Sequence, residues 1–397
     1  MHWMTKRRMG LAGIIIVMLG VGVWVALPKH SDSSGSLDHG PVTVIPAHAA
    51  QVPGSFAAIK SDATTSNLWG RPAPDVAARN SRRSGFAWIL RQLGATEDQL
   101  NRLANLDIAG VISELKQKAS AGDAASVNIL GEIAYQNCRL GRDDATVKGY
   151  VDSQIRDVLA VPAIDSSWFS TVMRDDEAFY KKVYDACAHV DVDEAMSWVK
   201  ARATLGDGAS LWLMSMDANN MTEIQQRLRE AAAAGFPQAQ FDLAWAIIGK
   251  QEGAEGTGAG RITAGDMLRA SQAQLSRSEL QLAVCEYSGC DGVAVDVDAA
   301  IKHAREAAQR GSPDAIVYIG PHVPAGQLDP NEVAAWGLVQ ASLEQRGCGG
   351  DVFSIRSLTR IVNTLNAKNI SAQARALAEQ YWRDYGSQMM STIGCTG

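Results

Sequence analysis

Apolar residues along this chain recur at intervals of three and four, not two. Leu100, Leu103 and Leu106 form one such stripe behind Thr96, Glu97 and Asp98, and those acids suit the positive end of a helix dipole. β-Branched residues do not alternate with polar ones over a strand's length, so the signature of a half-buried strand is nearly absent. Asp329-Pro330-Asn331-Glu332 supplies an N-cap, a first-turn proline and an acidic third residue ahead of VAAWGLVQASLEQRG, and Gly347 stops that helix. Residues 352–367 and 371–386 read as two further helices. The pattern predicts an all-α fold.

Glycine and alanine carry a second, longer pattern. In AREAAQRGSPDAIVYIG, Gly311 suits the left-handed end of one helix, Ser312 the cap of the next and Pro313 its first turn, so about two residues join them. Ala307, Ala308 and Ala315 carry only methyl groups and let the two helices cross closely, with Ile319 as the large apolar contact one turn on. Gly235, Ala239 and Leu243 repeat the spacing, with Pro237 in the corresponding place. Gly206, Ser210 and Met214 follow it, as do Gly122, Ser126 and Leu130.

This spacing resembles the Sel1-like repeats, relatives of the tetratricopeptide repeat with the rough pattern A-x-x-G-x-x-x-A-x-x-x-L-G. Residues 191–213 and 296–320 run in one register, in which Asp193, Ala195 and Trp198 match Asp298, Ala300 and His303. The intervals 122–206 and 235–311 are each about two repeat lengths and hold degenerate or inserted units. The resemblance implies an α/α superhelical solenoid with a concave inner face and modified end caps. It further implies an adaptor that gathers protein partners. Cys348 and Cys395 would suit the C-terminal cap.

Ahead of the periodic region lies a targeting signal. Lys6, Arg7 and Arg8 precede an apolar run from Met9 to Pro28, whose length at 1.5 Å per residue is close to the roughly 30 Å core of a bilayer. Basic residues on the N-terminal side keep the short N-terminus in the cytoplasm and send the rest across. In a bacterium this is a single-pass inner-membrane protein with its C-terminal domain in the periplasm. A cleaved signal peptide is the alternative, with Ala47-His48-Ala49 as the nearest small-x-small site. The expected organisation is an anchor over 1–30, a flexible Pro/Ser/Ala-rich tether over 31–94, helical repeats over 95–347 and a helical cap over 348–397. The apolar stretch SGFAWILRQL at 84–93 reads as a helix joining the first repeat.

Composition narrows the function. The formal net charge of −6 comes without clustered Lys and Arg, which sets nucleic acid aside. Six cysteines, Cys138, Cys187, Cys285, Cys290, Cys348 and Cys395, suit disulfides in an oxidising compartment. They permit fifteen pairings, of which neighbour pairing closes the most local loops. Metal binding is the rival, but Cys285 and Cys290 are separated by four intervening residues and have no nearby histidine. The seven histidines offer no H-E-x-x-H pair, and His189 beside Cys187 is better read as neighbouring a disulfide than as half of a nucleophile pair. The cluster GAEGTGAG (253–260) lacks the strand and lysine of a phosphate loop and reads as an inter-repeat insertion.

These features predict a protein-interaction scaffold with no catalytic, cofactor or metal residues. Trp212, Trp245 and Trp336 fall within apolar periodicity and read as core, while Trp168 and Trp198 are candidate partner-binding residues. A second reading, of a different class, is a cell-envelope enzyme or enzyme inhibitor acting on peptidoglycan or glycans. It would use Trp168-Phe169, Phe179-Tyr180 and the acids Asp175, Asp176 and Glu177.

Overall fold

The computed structural model describes residues 72–139, 148–149, 151–153, 155–156, 166–218, 220–249, 262–348 and 370–395, all within a compact unit spanning 62–397. The expected anchor over 1–30, the insertion GAEGTGAG and the helix expected at 352–367 lie outside these residues. Among the described residues no helix is long and apolar enough to cross a membrane, and the only non-helical pairing is an isolated bridge between Cys290 and Val293.

The described helices are α1 (Pro74–Leu90), α2 (Glu97–Ala104), α3 (Ile108–Ser120), α4 (Ala124–Ile133), α5 (Ser166–Cys187), α6 (Val192–Ala203), α7 (Gly208–Met216), α8 (Met221–Ala233), α9 (Pro237–Ile248), α10 (Ala264–Gln272), α11 (Ser276–Ser288), α12 (Val297–Gln309), α13 (Asp314–Ile319), α14 (Pro330–Gln345) and α15 (Ala372–Ile393). A π turn, Ala134–Arg139, prolongs α4.

One turn is used repeatedly. Gly122, Gly206, Gly235, Gly311 and Gly347 all have positive φ. At Gly206 the amide bonds the Ala203 carbonyl at 3.0 Å, and the next amide, Asp207, bonds the Arg202 carbonyl at 3.3 Å. This pair of bonds satisfies the last carbonyls of a helix while the chain reverses. The residue after the glycine caps the next helix at Asp123, Asp207 and Phe236, whereas after Gly311 the cap is Pro313 and not the expected Ser312. Asp123 and Asp207 accept from the amides of Ser126 and Ser210 at 2.9 and 2.8 Å.

Ser126, Ser210, Ala239 and Ala315 are buried where successive helices cross, and Leu130, Met214, Leu243 and Ile319 are buried a turn later. Consecutive helices pack as hairpins, and α4 with α7, α7 with α9 and α11 with α13 pack across them. This stacking of neighbours is the packing plan of a solenoid.

The two long glycine intervals have different causes. Between 122 and 206, α4 packs directly on α6, so this is one hairpin with an insertion that carries α5. Between 235 and 311 there are two hairpins, and the turn joining α10 to α11 lacks the glycine because Leu275 is extended there. Leu106, expected in the stripe of a helix, lies beyond the end of α2 at φ 67, the one described non-glycine residue in the left-handed region.

The cysteines pair with their neighbours in sequence: Cys138–Cys187, Cys285–Cys290 and Cys348–Cys395. The first fastens α5 to the end of the α4 π turn, and the third joins the chain just past α14 to the chain just past α15.

The core carries one isolated carboxyl. Glu132, 7% exposed, has no partner for Oε2, and burial pushes its carboxyl up to about 8. In the unfolded chain it ionises near 4.5, so between these values the native state holds a proton that the unfolded state has lost. Stability therefore falls as pH rises through that window and is level above it, a total change on the order of 4 kcal/mol. Glu132→Gln removes this titration. Urea melts should match wild type near pH 5 and exceed it by about that amount at pH 8; an equal shift at both pH values would contradict the assignment.

Candidate interaction surface

A solenoid of this kind offers its concave face to ligands, but here that face is filled. The tether expected over 31–94 ends at or before Ala73, because Pro74–Leu90 form helix α1. At 17 residues it is about 25 Å long, yet it touches α2 and α5 near the start of the array, α11 in its middle and α14 and α15 at its end. A helix in reach of all these elements lies inside their curve.

α1 is polar for a buried helix. Asn80, Arg82, Arg83 and Ser84 are all buried, and each meets a carbonyl that a helix end leaves without a partner. Arg82 Nε donates to Ala104 O at the end of α2 at 3.1 Å. Asn80 Nδ2 and Ser84 Oγ donate to Arg346 O at 3.0 Å and Gly347 O at 3.2 Å, beyond α14. Arg83 Nη1 donates to Gly394 O at 2.6 Å, and Arg91 Nη1 to Ser391 O at 2.6 Å, both at the end of α15.

Guanidinium groups at helix C-termini meet both the free carbonyls and the negative end of the dipole. Burial lowers the pKa of Arg83, and the adjacent Glu97 works against that shift. The fit is close as well as polar. A Cβ on Gly347 would lie 2.1 Å from Ala77 O, and one on Gly394 would lie 2.5 Å from the Ala87 methyl.

From α1 a stack of rings runs outward. The Arg277 guanidinium lies between Trp88 and Phe241, 4.2 and 4.7 Å from the ring centroids. Phe241 meets Trp245 edge-on, with centroids 6.3 Å apart and planes at 68°. Trp245, expected in the core, is 49% exposed, whereas Trp212 and Trp336 are buried. The helical period places position 245 on the boundary between the buried and open faces of α9.

Beneath the stack, Asp242 accepts from Trp212 Nε1 at 2.8 Å and from Gln238 Nε2 at 2.6 Å, while Gln238 Oε1 accepts from Arg277. Burial raises the Asp242 carboxyl, opposed by Arg277 and the two hydrogen bonds. Burial also lowers Arg277 to about 10, opposed by Asp242.

Trp168 and Trp198 are not brought together. Trp168 is half-buried and donates to Pro72 O at 3.1 Å, fixing the entry to α1. Trp198, also half-buried, lines a shallow depression with Ile112, Lys116, Leu130 and Glu194, which the Lys116–Glu194 pair crosses at 3.2 Å. Asp175, the acid offered for a glycan-directed site, accepts from Arg82 at 2.5 Å, and Phe179 stacks with Phe86 of α1. Glu177 pairs with Arg174. This region holds α1.

No protein-family profile matches the chain, and neither does any curated protein. Among solved structures the chain is similar to c5321, a protective antigen of uropathogenic Escherichia coli with an SLR fold. The two are 15% identical over 73% of this chain and 76% of that one, with a TM-score of 0.37. It is also similar to a Sel1 repeat protein from Oxalobacter formigenes, at 20% identity over 68% of this chain and 89% of that one, with a TM-score of 0.32.

Two sets of variants test the surface. Gly206→Ala has open space for its Cβ and should lose only the left-handed backbone preference, about 1 kcal/mol. Gly347→Ala adds the collision with Ala77 and should cost about 3 kcal/mol, with α1 becoming open to protease while the rest stays resistant. Arg277→Ala should cost about 2 kcal/mol in urea melts, because it strips the rings and leaves Asp242 without its cation. Adding Asp242→Asn should then cost less than it does alone, and strict additivity would argue against the coupling.

Proposed function

We propose that this chain is a membrane-anchored, periplasm-facing scaffold that binds a protein partner through the outer edge of its helical array, with Trp245 as the anchor. The observation that carries this reading is the half-exposed Trp245, packed edge-on against Phe241, whose ring in turn meets Arg277. Partner-binding energy concentrates in large aromatic side chains presented rigidly, because little conformational freedom is lost on contact.

The filled inner face directs the reading outward. A partner using the concave surface would have to displace a helix whose buried side chains serve three other helix ends. The membrane and periplasmic parts of the proposal rest on Lys6, Arg7 and Arg8 ahead of the apolar run 9–28 and on three disulfides, which persist in oxidising compartments.

The test is a photo-crosslinking residue placed at position 245 of the full-length chain in intact cells of its source, with position 302 on the exposed face of α12 as the control. A discrete protein adduct is expected at 245 and none at 302. Trp245→Ala should weaken binding of that captured partner at least tenfold without changing the melting temperature by more than about 2 °C. Equal adducts at both positions, or unchanged affinity in Trp245→Ala, would remove Trp245 from the role.

A further inference from the structure

A second cluster lies in the seam of the α11–α12 hairpin, apart from the Trp245 surface. Glu279 and Glu286 come from α11, and His303 and Glu306 from α12 one helical turn apart. One ligating atom from each of Glu279, His303 and Glu306 lies within 4.8 Å of the others. Glu279 is 3% exposed and Glu286 is also buried, so these carboxylates have given up much of their hydration.

Surrounding bonds fix two of the three groups, His303 and Glu279. His303 Nδ1 meets Glu286 Oε2 at 2.6 Å, which leaves Nε2 as the ring's free donor. Arg310 Nη1 donates to Glu279 Oε2 at 2.5 Å and is itself fixed by the carbonyls of Gln272 and Ala273 at 2.8 and 2.7 Å. A carboxylate behind a histidine and a donor behind a carboxylate are the supports that metal ligands use to hold their orientation.

The charge is not balanced. Three carboxylates share one fixed guanidinium, and Lys302 reaches Glu306 only at 3.9 Å on the solvent side. The Glu279 carboxyl is raised by burial and by a hydrogen bond from Glu306, with Arg310 opposing. A cation placed between these carboxylates would relieve their mutual repulsion.

We propose that Glu279, His303 and Glu306 form a binding site for a divalent transition-metal ion, Zn2+ in the first instance, with Glu286 and Arg310 positioning the ligands. One imidazole nitrogen and two carboxylate oxygens suit Zn2+ better than Mg2+ or Ca2+, which favour all-oxygen shells. Three protein ligands leave a further coordination position for water or for a group from a partner. Zn2+ would take the Nε2 lone pair of neutral His303 and a carboxylate oxygen from each of Glu279 and Glu306.

The test uses the full-length, tag-free chain, stripped with chelator and titrated with Zn2+ by calorimetry. Expected is one ion bound per chain that is lost in both His303→Ala and Glu306→Gln. Glu286→Gln should bind about 10- to 100-fold more weakly, and His322→Ala should bind as wild type. Binding to the histidines of the N-terminal segment persists in every variant and is thereby recognised. Co2+ substitution should give visible absorption bands that Glu306→Gln abolishes, a readout that stands if His303→Ala fails to fold. Wild-type protein that takes up no Zn2+ at millimolar concentration, or stoichiometric binding unchanged in both ligand variants, would overturn the site.

Discussion

The carbonyl groups at helix C-termini set the terms of this structure. Each helix leaves such groups unpaired, and an array of short helices has many to satisfy. At the hairpin turns a glycine folds the backbone onto itself and the following amides supply the bonds. At the ends of α2, α14 and α15 the polar side chains of α1 supply further bonds to the open carbonyls. That division explains how a helix with Asn80, Arg82, Arg83 and Ser84 on its buried faces can lie inside a protein. Its polar groups are not exceptions to the apolar interior, because they complete elements that would otherwise be incomplete.

Filling the concave face changes what kind of solenoid this is. In an open array each hairpin meets only its neighbours, and stability accumulates locally. Here α1 ties the first described helices to the last, the Cys348–Cys395 bond joins the two helix ends that receive it, and the Arg277 stack joins it to the middle. The same helix therefore withholds the inner surface from ligands and stiffens the outer one, since Trp245 takes its orientation from Phe241, which rests through Arg277 on α1. Occupancy inside and presentation outside are consequences of one placement.

Much of the array was legible in the sequence because its turns depend on residues with few substitutes. A left-handed helix end asks for glycine, a close crossing asks for alanine or serine, and both repeat at a readable spacing. What was not legible follows from the same physics. Leu106 adopts a left-handed turn and Leu275 an extended one without the glycine that marks the others, so those positions gave no signal. α1 shows no apolar stripe in the sequence over most of its length; its partners are backbone carbonyls, most of them more than 250 residues away, and carbonyls have no sequence signature. Trp245 was assigned to the core because periodicity identifies a face but not its boundary. The Glu279, His303 and Glu306 cluster showed only one i, i+3 pair, with its opposing residues on another helix.

The bond from Arg83 to Gly394 spans 311 residues, which sets an order of events. During synthesis α1 emerges before the other described helices, and α15 emerges after them. Until α15 exists, its arginines have no carbonyls of that helix to meet, and desolvating them there is unfavourable. Local hairpins can close as they appear, since their contacts are near in sequence. Full burial of the α1 arginines therefore waits for α15.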